Sequence, residues 1–532
     1  MIARRRRGII LVLVLVVIAM LALASLGFSD LMLTERKAAM TSGRQIQAQR
    51  FARSGIELAR QFLDRDPTDQ SDAGGLYDNS SRFADVLIAD DELPQYRGRS
   101  AVVALRIEDR NVIGTRYGLQ DESTRLNLTT ILQWDKTKPG TAKTALMALP
   151  GMTDDTADAL LDWIDTDSTP RDQGAEADYY GSLSPPYAPR NGPPVTIEEL
   201  LLVRGVTPQL LFGMDSTHMG LATGNSSPGT LGGVDNSDGS MDHGWAAYLT
   251  LYSAESTTKT DGTPKINLND SDLNKLQTSL EAVIDKPWAT FIVACRQNGI
   301  TQTGPPTSAT VKIKEASDPS VKLTVSGKGK GNFNSILDLI GVYAEVDSQQ
   351  VTNPNPSPNP GSRPTTTTVK TYIKSPFSED SGSMTTYLPK LLDNCTTASG
   401  KTLPGRININ QAPRIVLMCI PGMTEDLCDQ IIGQRVLDPV QASDDMKYEV
   451  WPLTKGLVDL KTMKTLMPYM TAGGSVYRAQ AVGTFDSGSP TARIEAIFDA
   501  TQKPTKLLFW RDVSHLSGAY PAYVPGSSTA NP

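Results

Sequence analysis

The sequence predicts an α+β fold in which one long N-terminal helix packs on an antiparallel sheet, and a large helical insertion interrupts that sheet. Three observations support this prediction. A helical pattern extends from an apolar N-terminal run to about residue 66. Alternating strand patterns follow it and occur again near the C-terminus. Helical patterns and turn signals fill the long stretch between the two strand groups.

The N-terminal helix begins with a stretch suited to a membrane. Four arginines at positions 4–7 and Gly8 precede about twenty uncharged residues ending at Phe28, enough to cross a bilayer core of roughly 30 Å. The run is longer than a signal-peptide core, and no small-residue cleavage site closes it. Because arginines stay on the cytoplasmic side, we expect residues 9–28 to span the membrane and the bulk of the chain to lie outside the cytoplasm.

The same helix continues beyond the membrane. Residues 29–66 keep an apolar stripe at helical spacing, which predicts that this soluble half packs on the sheet, and Pro67 is expected to end it. A plain single-pass anchor with a helical neck is the alternative. The stripe consists of Ala48, Phe51, Ala52, Gly55, Leu58, Ala59 and Phe62.

Length and charge limit the possible functions. The 532 residues are too many for one hydrophobic core. The net charge is −7 despite the basic N-terminus, so the rest of the chain is acidic, which disfavours nucleic acid as a ligand and suits cations. Four cysteines and three histidines are too scattered for a zinc site. A disulfide from Cys395 to Cys419 or Cys428 is possible outside the cytoplasm, as are buried thiols.

The strand patterns fall into two groups. Residues 67–125 contain a polar connection with one short helix at 81–93, followed by two strands. Residues 471–515 contain three more alternating runs, and 516–532 form a tail. Because two strands do not make a stable sheet, we expect a single sheet interrupted by residues 126–470. Two separate β units are the alternative.

The insertion contains internal repeats. A phrase of a basic residue, an apolar residue and Asn recurs at Arg125, Lys265 and Arg406, and its Asn or Asp is a plausible helix cap. A second phrase, apolar–Pro–Gly–Met–Thr–acid, recurs at Met147 and Met418. Since Pro-Gly makes a tight turn and Thr caps the next helix, each copy predicts a helix-hairpin-helix (SAM-like) repeat.

Two linkers divide the insertion into blocks. The Gly/Ser-rich residues 223–244 predict a flexible linker and the Pro/Thr-rich residues 351–370 an extended one. The first block carries a hairpin, the second predicts two helices broken near Pro287, and the third carries the other hairpin. These blocks are residues 126–222, 245–350 and 371–470.

Carboxylates crowd the segment after the first hairpin. Arg171 is the single basic residue between positions 154 and 178, and such a density of acids needs solvent or a cation to offset its repulsion. Counted from Asp165, oxygen-bearing side chains follow the spacing of an EF-hand loop, but Pro170 stands where that loop needs Gly. The pattern favours Ca²⁺ chemistry on a different loop, with a solvated acidic loop as the alternative. The residues at this spacing are Asp165, Asp167, Thr169 and Glu176.

Enzyme motifs are missing from the sequence, which contains no GxSxG, HExxH or Walker loop. Residues 327–331 predict a plain β-to-α turn, and Asp121-Glu122 a turn between a strand and the insertion. The helices after both hairpins are acidic or neutral, so the phosphate contacts that dominate DNA binding are disfavoured. We therefore predict a non-enzymatic protein. The competing class is a membrane-anchored helix-hairpin-helix protein that binds DNA, as an uptake receptor would, or another ligand.

Four features of the chain resemble the minor pseudopilin K family of type II secretion systems (general secretion pathway protein K). They are a basic leader ending at Gly8, an apolar helix without Glu at its fifth residue (Leu13), the DESTRLNLTT segment, and the long segment 149–206 with PGMTDDTADALLDWIDTDSTPRDQGAEADYYG. The resemblance covers the first 220 residues well and the second hairpin and the C-terminal strands moderately.

The resemblance implies a type IV pilin-like fold and a structural role in protein export across the outer membrane. A prepilin peptidase would release the leader 1–8 and leave a methylated Ile9. The chain would be a single-pass inner-membrane protein, mostly periplasmic. With the I- and J-type minor pseudopilins and the inner-membrane assembly platform, it would cap the pseudopilus. The implied Ca²⁺ ligands are Asp165, Asp167, Glu176 and Asp178.

Overall fold

The structure is a computed structural model of the chain. It describes residues 6–108, 111–213, 243–259, 261–301, 311–321, 323–326, 328–352 and 366–516. The predicted linker 223–244 lies outside these residues except for its last two positions. Residues 353–365 of the second predicted linker and the tail beyond 516 also lie outside them.

Most elements are short, apart from the first helix. The α-helices are α1 (Arg6–Leu63), α2 (Pro67–Asp72), α3 (Ser80–Phe83), α4 (Leu132–Thr137), α5 (Thr141–Leu146), α6 (Asp154–Ile164), α7 (Ala177–Gly181), α8 (Pro208–Phe212), α9 (Leu273–Glu281), α10 (Lys286–Asn298), α11 (Ser381–Asn394), α12 (Arg414–Met418), α13 (Glu425–Gln434), α14 (Trp451–Thr454) and α15 (Leu460–Leu466). The strands are β1 (Val86–Ala89), β2 (Gly98–Glu108), β3 (Asn111–Tyr117), β4 (Gln120–Asp121), β5 (Leu126–Asn127), β6 (Leu249–Thr250), β7 (Ala254–Ser256), β8 (Ile266–Asn267), β9 (Ile300–Thr301), β10 (Val311–Glu315), β11 (Tyr343–Thr352), β12 (Thr366–Lys374), β13 (Cys395–Thr396), β14 (Thr402–Pro404), β15 (Ile407–Asn408), β16 (Met470–Thr471), β17 (Val476–Phe485), β18 (Ala492–Asp499) and β19 (Lys506–Asp512).

Helix α1 contains both predicted halves. Its large apolar side chains from Ile10 to Leu33 are exposed, and among the described residues it is the one helix long and apolar enough to cross a membrane. It ends at Leu63, and Pro67 starts α2 instead of ending α1, which corrects the predicted boundary. The predicted stripe faces the sheet, with Leu58 half-buried. Its buried members are Ala48, Phe51, Ala52, Gly55, Ala59 and Phe62.

One antiparallel sheet joins strands from both ends of the chain. Its order is β1-β2-β17-β18-β19, with β3 beside β2 and β4 beside β17. Val103 on β2 pairs with Gln480 on β17, and Gly98 pairs with Phe485, so the two predicted strand groups are direct neighbours. The prediction of a single interrupted sheet is confirmed, and the alternative of two separate β units is wrong.

The short helix predicted at 81–93 is wrong over its second half. Helix α3 ends at Phe83, and the next element is strand β1. Val86 and Leu87 pair with Ser100 and Arg99 on β2. An available sheet edge therefore overrides the weak helical pattern of this segment.

Helix α1 lies directly on the sheet at glycines. A Cβ atom at Gly483 on β17 would be 2.1 Å from the carbonyl oxygen of Ala48 and 2.3 Å from the backbone nitrogen of Ala52. A Cβ atom at Gly55 would be 2.2 Å from Ser100 Oγ. Because backbone atoms approach so closely, no larger side chain fits at Gly483, and this position sets the height of the helix above the sheet.

The insertion is built from three lobes that begin and end with the same kind of strand pair. Lobe 1 spans residues 126–250, lobe 2 spans 266–396 and lobe 3 spans 407–471. Each lobe opens with an apolar residue and Asn and closes with an apolar residue and Thr, and the opening and closing strands pair in parallel. The repeated phrases in the sequence therefore mark three equivalent starting points.

The Asn side chains of these phrases form turns and do not cap helices, which corrects the predicted cap role. The Oδ1 atoms of Asn127, Asn267 and Asn408 each accept a hydrogen bond from the backbone N–H two residues later, at 2.9, 2.8 and 2.9 Å. These contacts are Asx turns. The Asp of the phrase in lobe 2 does cap a helix, as predicted: Asp272 caps α9.

Lobe 2 is more than a helical block. Its predicted helices α9 and α10 are present, with Pro287 in the first turn of α10. In addition, β9 to β12 form a four-stranded sheet in the order β10-β12-β11-β9. Strand β12 begins inside the predicted linker 351–370 and pairs with β11, so the linker prediction is wrong there. The Thr-rich run favours strands because its side chains are β-branched.

None of the four cysteines forms a disulfide, and all are buried thiols. The predicted pairing of Cys395 with Cys419 or Cys428 is therefore wrong, and the buried-thiol alternative is confirmed. Burial raises the pKa values of Cys395 and Cys419 to about 12. At neutral pH these side chains behave as small apolar groups.

The insertion leaves and re-enters the sheet beside the buried acids Asp121 and Glu122. Asp121 Oδ2 accepts hydrogen bonds from the Gly474 backbone N–H (2.7 Å) and the Asn408 amide (2.8 Å). The next three residues form a 3₁₀ helix, Glu122–Thr124, so the predicted turn is confirmed. The two ends of the insertion are thereby joined by hydrogen bonds.

A buried ion-pair network joins the start of the insertion at Asp121 and Glu122, called the hinge of the insertion below, to the sheet. Glu122 Oε1 lies 2.6 Å from Arg478 Nε on β17, and Arg478 also pairs with Glu495 on β18. Arg511 on β19 continues the network to Glu495 (2.7 Å) and to Glu198 of lobe 1 (2.6 Å). Glu122 and Glu495 are both fully buried, so their charges depend on these arginines.

Candidate metal centre

The acidic loop follows a helix that the first Pro-Gly turn holds in place. Gly151 has a φ of 67°, and Thr153 caps α6 by accepting a hydrogen bond from the Thr156 N–H. Gly422 and Thr424 repeat this arrangement before α13. The turns and caps predicted for both hairpins are therefore present. Their assignment to the helix-hairpin-helix family stays a prediction.

Asp162, near the end of α6, organises the loop. Its carboxylate is fully buried and accepts hydrogen bonds from the backbone N–H groups of Ala175 (2.8 Å) and Arg171 (3.2 Å). A Cβ atom at Gly174 would lie 1.8 Å from Asp162 Oδ2, so the loop closes tightly around this side chain. Asp162 belongs to the crowded carboxylates of the sequence, but it lies outside the EF-hand-like spacing that is counted from Asp165. Its place between the apolar residues Leu161 and Trp163 on α6 is the sequence signal of its burial.

Three of the predicted ligands come together. Asp165, Asp167 and Glu176 each place one carboxylate oxygen within 4.8 Å of the others. Glu176 is only 4% exposed. Among the described residues, neither of its oxygens has a hydrogen-bond partner, and neither does Asp165 Oδ1. A buried acceptor without a partner costs about 1–3 kcal/mol, which a bound cation would offset.

The electrostatics of the group also favour a cation. Burial raises the pKa of Glu176, and the neighbouring charges of Asp162, Asp165 and Asp167 raise it further. Burial likewise raises the pKa of Asp165, although Arg171 opposes the effect. Carboxylates that repel one another in a buried place ionise more readily once a divalent ion joins them. The oxygen-only donor set fits Ca²⁺.

Asn191 is a further candidate that the sequence analysis missed. Its backbone is left-handed, with a φ of 48°, which Asn tolerates. Its amide nitrogen donates to the carbonyl oxygen of Asp167, while its Oδ1 is buried and has no partner among the described residues. Amide oxygens are common Ca²⁺ ligands. In the sequence, however, Asn191 is followed by Gly192 and is distant from Asp165, and an Asn-Gly pair by itself predicts only a turn.

The remaining predicted positions lie elsewhere. Asp178 is exposed in the first turn of α7 and is not part of the group of three, and its role as a ligand stays a prediction. Thr169 is exposed, and its backbone N–H donates to Asp167 Oδ1 (2.8 Å). Gly8 and Ile9 lie at the start of α1, and the processing predicted between them stays a prediction.

The helices after the Pro-Gly turns begin with acids. Asp154 and Asp155 occupy the first turn of α6, and Glu425 and Asp426 that of α13. These charges suit the positive end of a helix dipole. They would repel a nucleic-acid phosphate at the same place.

Comparison with known proteins places this loop in a family. Residues 124–214, which hold α6, the loop and Asn191, match the family model for the type II secretion system (T2SS), protein K. This chain carries a type II secretion system protein K domain. The predicted resemblance to that family is thus confirmed over residues 124–214, and the family's description connects this domain with the type II secretion system.

One solved structure is similar to the chain over most of its length. It is described as the crystal structure of the GspK-GspI-GspJ complex from enterotoxigenic Escherichia coli type 2 secretion system. The identity is 13%, the TM-score is 0.32, and the match covers 90% of this chain and 99% of that chain. No curated protein sequence matches this chain.

Proposed function

We propose that this chain is a minor pseudopilin that caps the tip of the type II secretion pseudopilus during protein export across the outer membrane. The observation that carries the proposal is the position of the protein K domain. It belongs to an insertion whose ends meet at Asp121 and Gly474, on a sheet that packs against a helix with an exposed apolar half. A filament helix and a bulky side domain thus belong to one subunit.

The exposed half of α1 supports anchoring and assembly. Residues 9–28 would span the inner membrane, with the bulk of the chain in the periplasm. A prepilin peptidase would release residues 1–8, and the inner-membrane assembly platform would move the helix into a bundle of similar helices. In such a bundle, side-chain packing between helices replaces contact with lipid.

The proposed partners are the I- and J-type minor pseudopilins. The GspK chain of the similar Escherichia coli structure forms a complex with GspI and GspJ, and the protein K domain of this chain supports the same type of assembly. The three lobes would occupy the space above the tip, so that no further subunit could be added there.

An end-specific label tests the capping role. An antibody against lobes 1–3 should mark sheared pseudopili at one end only, with about one label per fibre, because a cap occupies a single position. Electron microscopy of immunogold-labelled fibres measures this distribution. An antibody against the most abundant pseudopilin is the control and should mark the whole length. Labels of the lobes along the shaft would contradict the proposal.

The loop of lobe 1 is the proposed Ca²⁺ site. Asp165, Asp167 and Glu176, with the Asn191 amide oxygen beside them and Asp178 as the further predicted ligand, would hold the ion. The bound ion would offset the charge of the buried carboxylates. It would therefore stabilise lobe 1 and the surface that the loop supports.

Calcium is expected to raise the melting temperature of the protein by several degrees. At a free concentration about 100 times the Kd, binding adds roughly 2.7 kcal/mol to the stability of the native state. Asp165→Ala combined with Glu176→Ala should abolish the rise, because it removes the two most buried carboxylates of the group. Calorimetry with CaCl₂ against a chelator measures the effect.

A matched control keeps the number of lost charges constant. Asp155→Ala combined with Asp172→Ala removes two exposed carboxylates from the same lobe, and the calcium-induced rise should persist in that variant. An equal calcium response in the Asp165/Glu176 variant and the wild type would remove the site.

A further inference from the structure

We infer that Arg171 is an internal counter-cation of the loop, which competes with a divalent ion for Asp165 and so weakens calcium binding to the cation-free protein. This inference rests on the proposed calcium site. It makes Arg171 a positioning residue that sets the affinity of the site.

The contacts of Arg171 place it between the organising carboxylate and the ligand group. Its Nη1 lies 2.6 Å from Asp162 Oδ1 and 2.5 Å from Asp165 Oδ2. The other oxygen of Asp165, Oδ1, is buried and has no hydrogen-bond partner within the part of the chain that the structure describes, and Asp165 belongs to the group with Asp167 and Glu176. One carboxylate therefore serves both the guanidinium and the candidate site.

Charge balance explains the competition. Among the described residues, Arg171 is the one base that forms an ion pair with Asp165, whereas the nearby Lys143 pairs with Asp154 and Asp158, at 3.0 Å each. A guanidinium on Asp165 lowers the negative potential that attracts a divalent ion and repels the ion directly. The loop consequently has a partial substitute for the ion when calcium is scarce.

The backbone of the loop does not depend on the Arg171 side chain. Asp162 accepts hydrogen bonds from the backbone N–H groups of Arg171 and Ala175, and Asp158 accepts one from the Gln173 N–H (3.2 Å). A variant without the guanidinium keeps these bonds. Its main change is therefore the loss of one positive charge beside Asp165.

The test compares calcium binding by the full-length protein in detergent after chelator treatment. Isothermal titration with CaCl₂ should show that Arg171→Gln binds about tenfold more tightly than the wild type, because the competing charge is gone. The same variant should melt at a lower temperature without calcium, because Asp162 and Asp165 lose their counter-charge. Arg171→Lys should restore affinity toward the wild-type value.

Arg190→Gln is the matched control. Arg190 lies in the same lobe and pairs with Glu199 (3.4 Å), so the variant loses the same charge without a contact to Asp165. Its calcium affinity should equal that of the wild type. An equal gain in both variants would show a general charge effect and overturn the role of Arg171.

The remaining outcomes separate this inference from the proposed site. Equal or weaker binding by Arg171→Gln, with its near-UV circular dichroism intact, overturns the inference while the site stands. Binding by Arg171→Gln alone, with none by the wild type, supports it. Absence of binding in both proteins overturns the inference together with the calcium site.

Discussion

Arg478→Met is expected to lower the free energy of unfolding by roughly 3–5 kcal/mol, because it leaves buried carboxylates without their counter-charge. Arg478 bonds to both Glu122 and Glu495, which are fully buried. Glu495 would retain Arg511, but Glu122 would lose the guanidinium that joins the hinge of the insertion to β17. Urea unfolding followed by tryptophan fluorescence measures the loss.

Lys506→Met provides the comparison for this variant. Lys506 is exposed on β19 of the same sheet, and surface substitutions of this kind usually change stability by less than about 0.5 kcal/mol. Equal unfolding midpoints for the two variants would refute a stabilising role of the buried ion-pair network.

Acid provides a second readout of the same network. Burial alone would raise the pKa of Glu495, but Arg478 and Arg511 outweigh it and lower that pKa to about 2, from an ordinary value of 4.5. A lowered carboxylate pKa stabilises the fold above the ordinary value, and this contribution is lost as pH falls from about 4.5 toward 2. The wild type should therefore lose stability across this window, and Arg478→Met should lose less.

Gly8→Glu is expected to stop N-terminal processing completely. The resemblance implies cleavage between Gly8 and Ile9, immediately before the exposed apolar run of α1. A long charged side chain at the cleavage position should exclude the peptidase. Intact mass measurement should then find the wild type without residues 1–8, with a methylated Ile9, and the variant at full length in the inner membrane.

Arg7→Lys is the control for this experiment, because it keeps the positive charge beside the junction and should be processed normally. A mature N-terminus at Ile9 in the Gly8→Glu variant would show that Gly8 does not define the cleavage position. It would also weaken the proposed entry of the helix into a filament.

Local patterns in the sequence predicted much of the fold. The spacing of Phe51, Ala59 and Phe62 predicted the helix face that meets the sheet, and these residues are buried. The alternation of apolar and polar residues predicted strands β2 and β17. Because two strands alone do not make a stable sheet, we also predicted that the two strand groups share one sheet, and β2 does pair with β17. In the loop, the spacing predicted Asp165, Asp167, Thr169 and Glu176 as neighbours, and the three carboxylates among them lie close together, whereas Thr169 is exposed.

Other features depend on neighbours that are remote in the sequence. Residues 86–89 became a strand because β2 offered an edge, and the Thr-rich residues of β12 found β11. The backbone of α1 leaves no room for a side chain at Gly483. Arg478 forms ion pairs with two acids from distant segments of the sequence. A single segment of sequence does not reveal which distant partner will pair with it.

The sequence by itself determined the periodic faces, the turns and the acidic spacing, because these follow from residues a few positions apart on the chain. Only the tertiary structure decided that Asp162 is the buried centre of the loop and that Asn191 lies beside the loop with a buried amide oxygen. It also decided that Arg171 forms an ion pair with Asp165. The physical reason is that burial and charge pairing depend on long-range packing, which local periodicity does not encode.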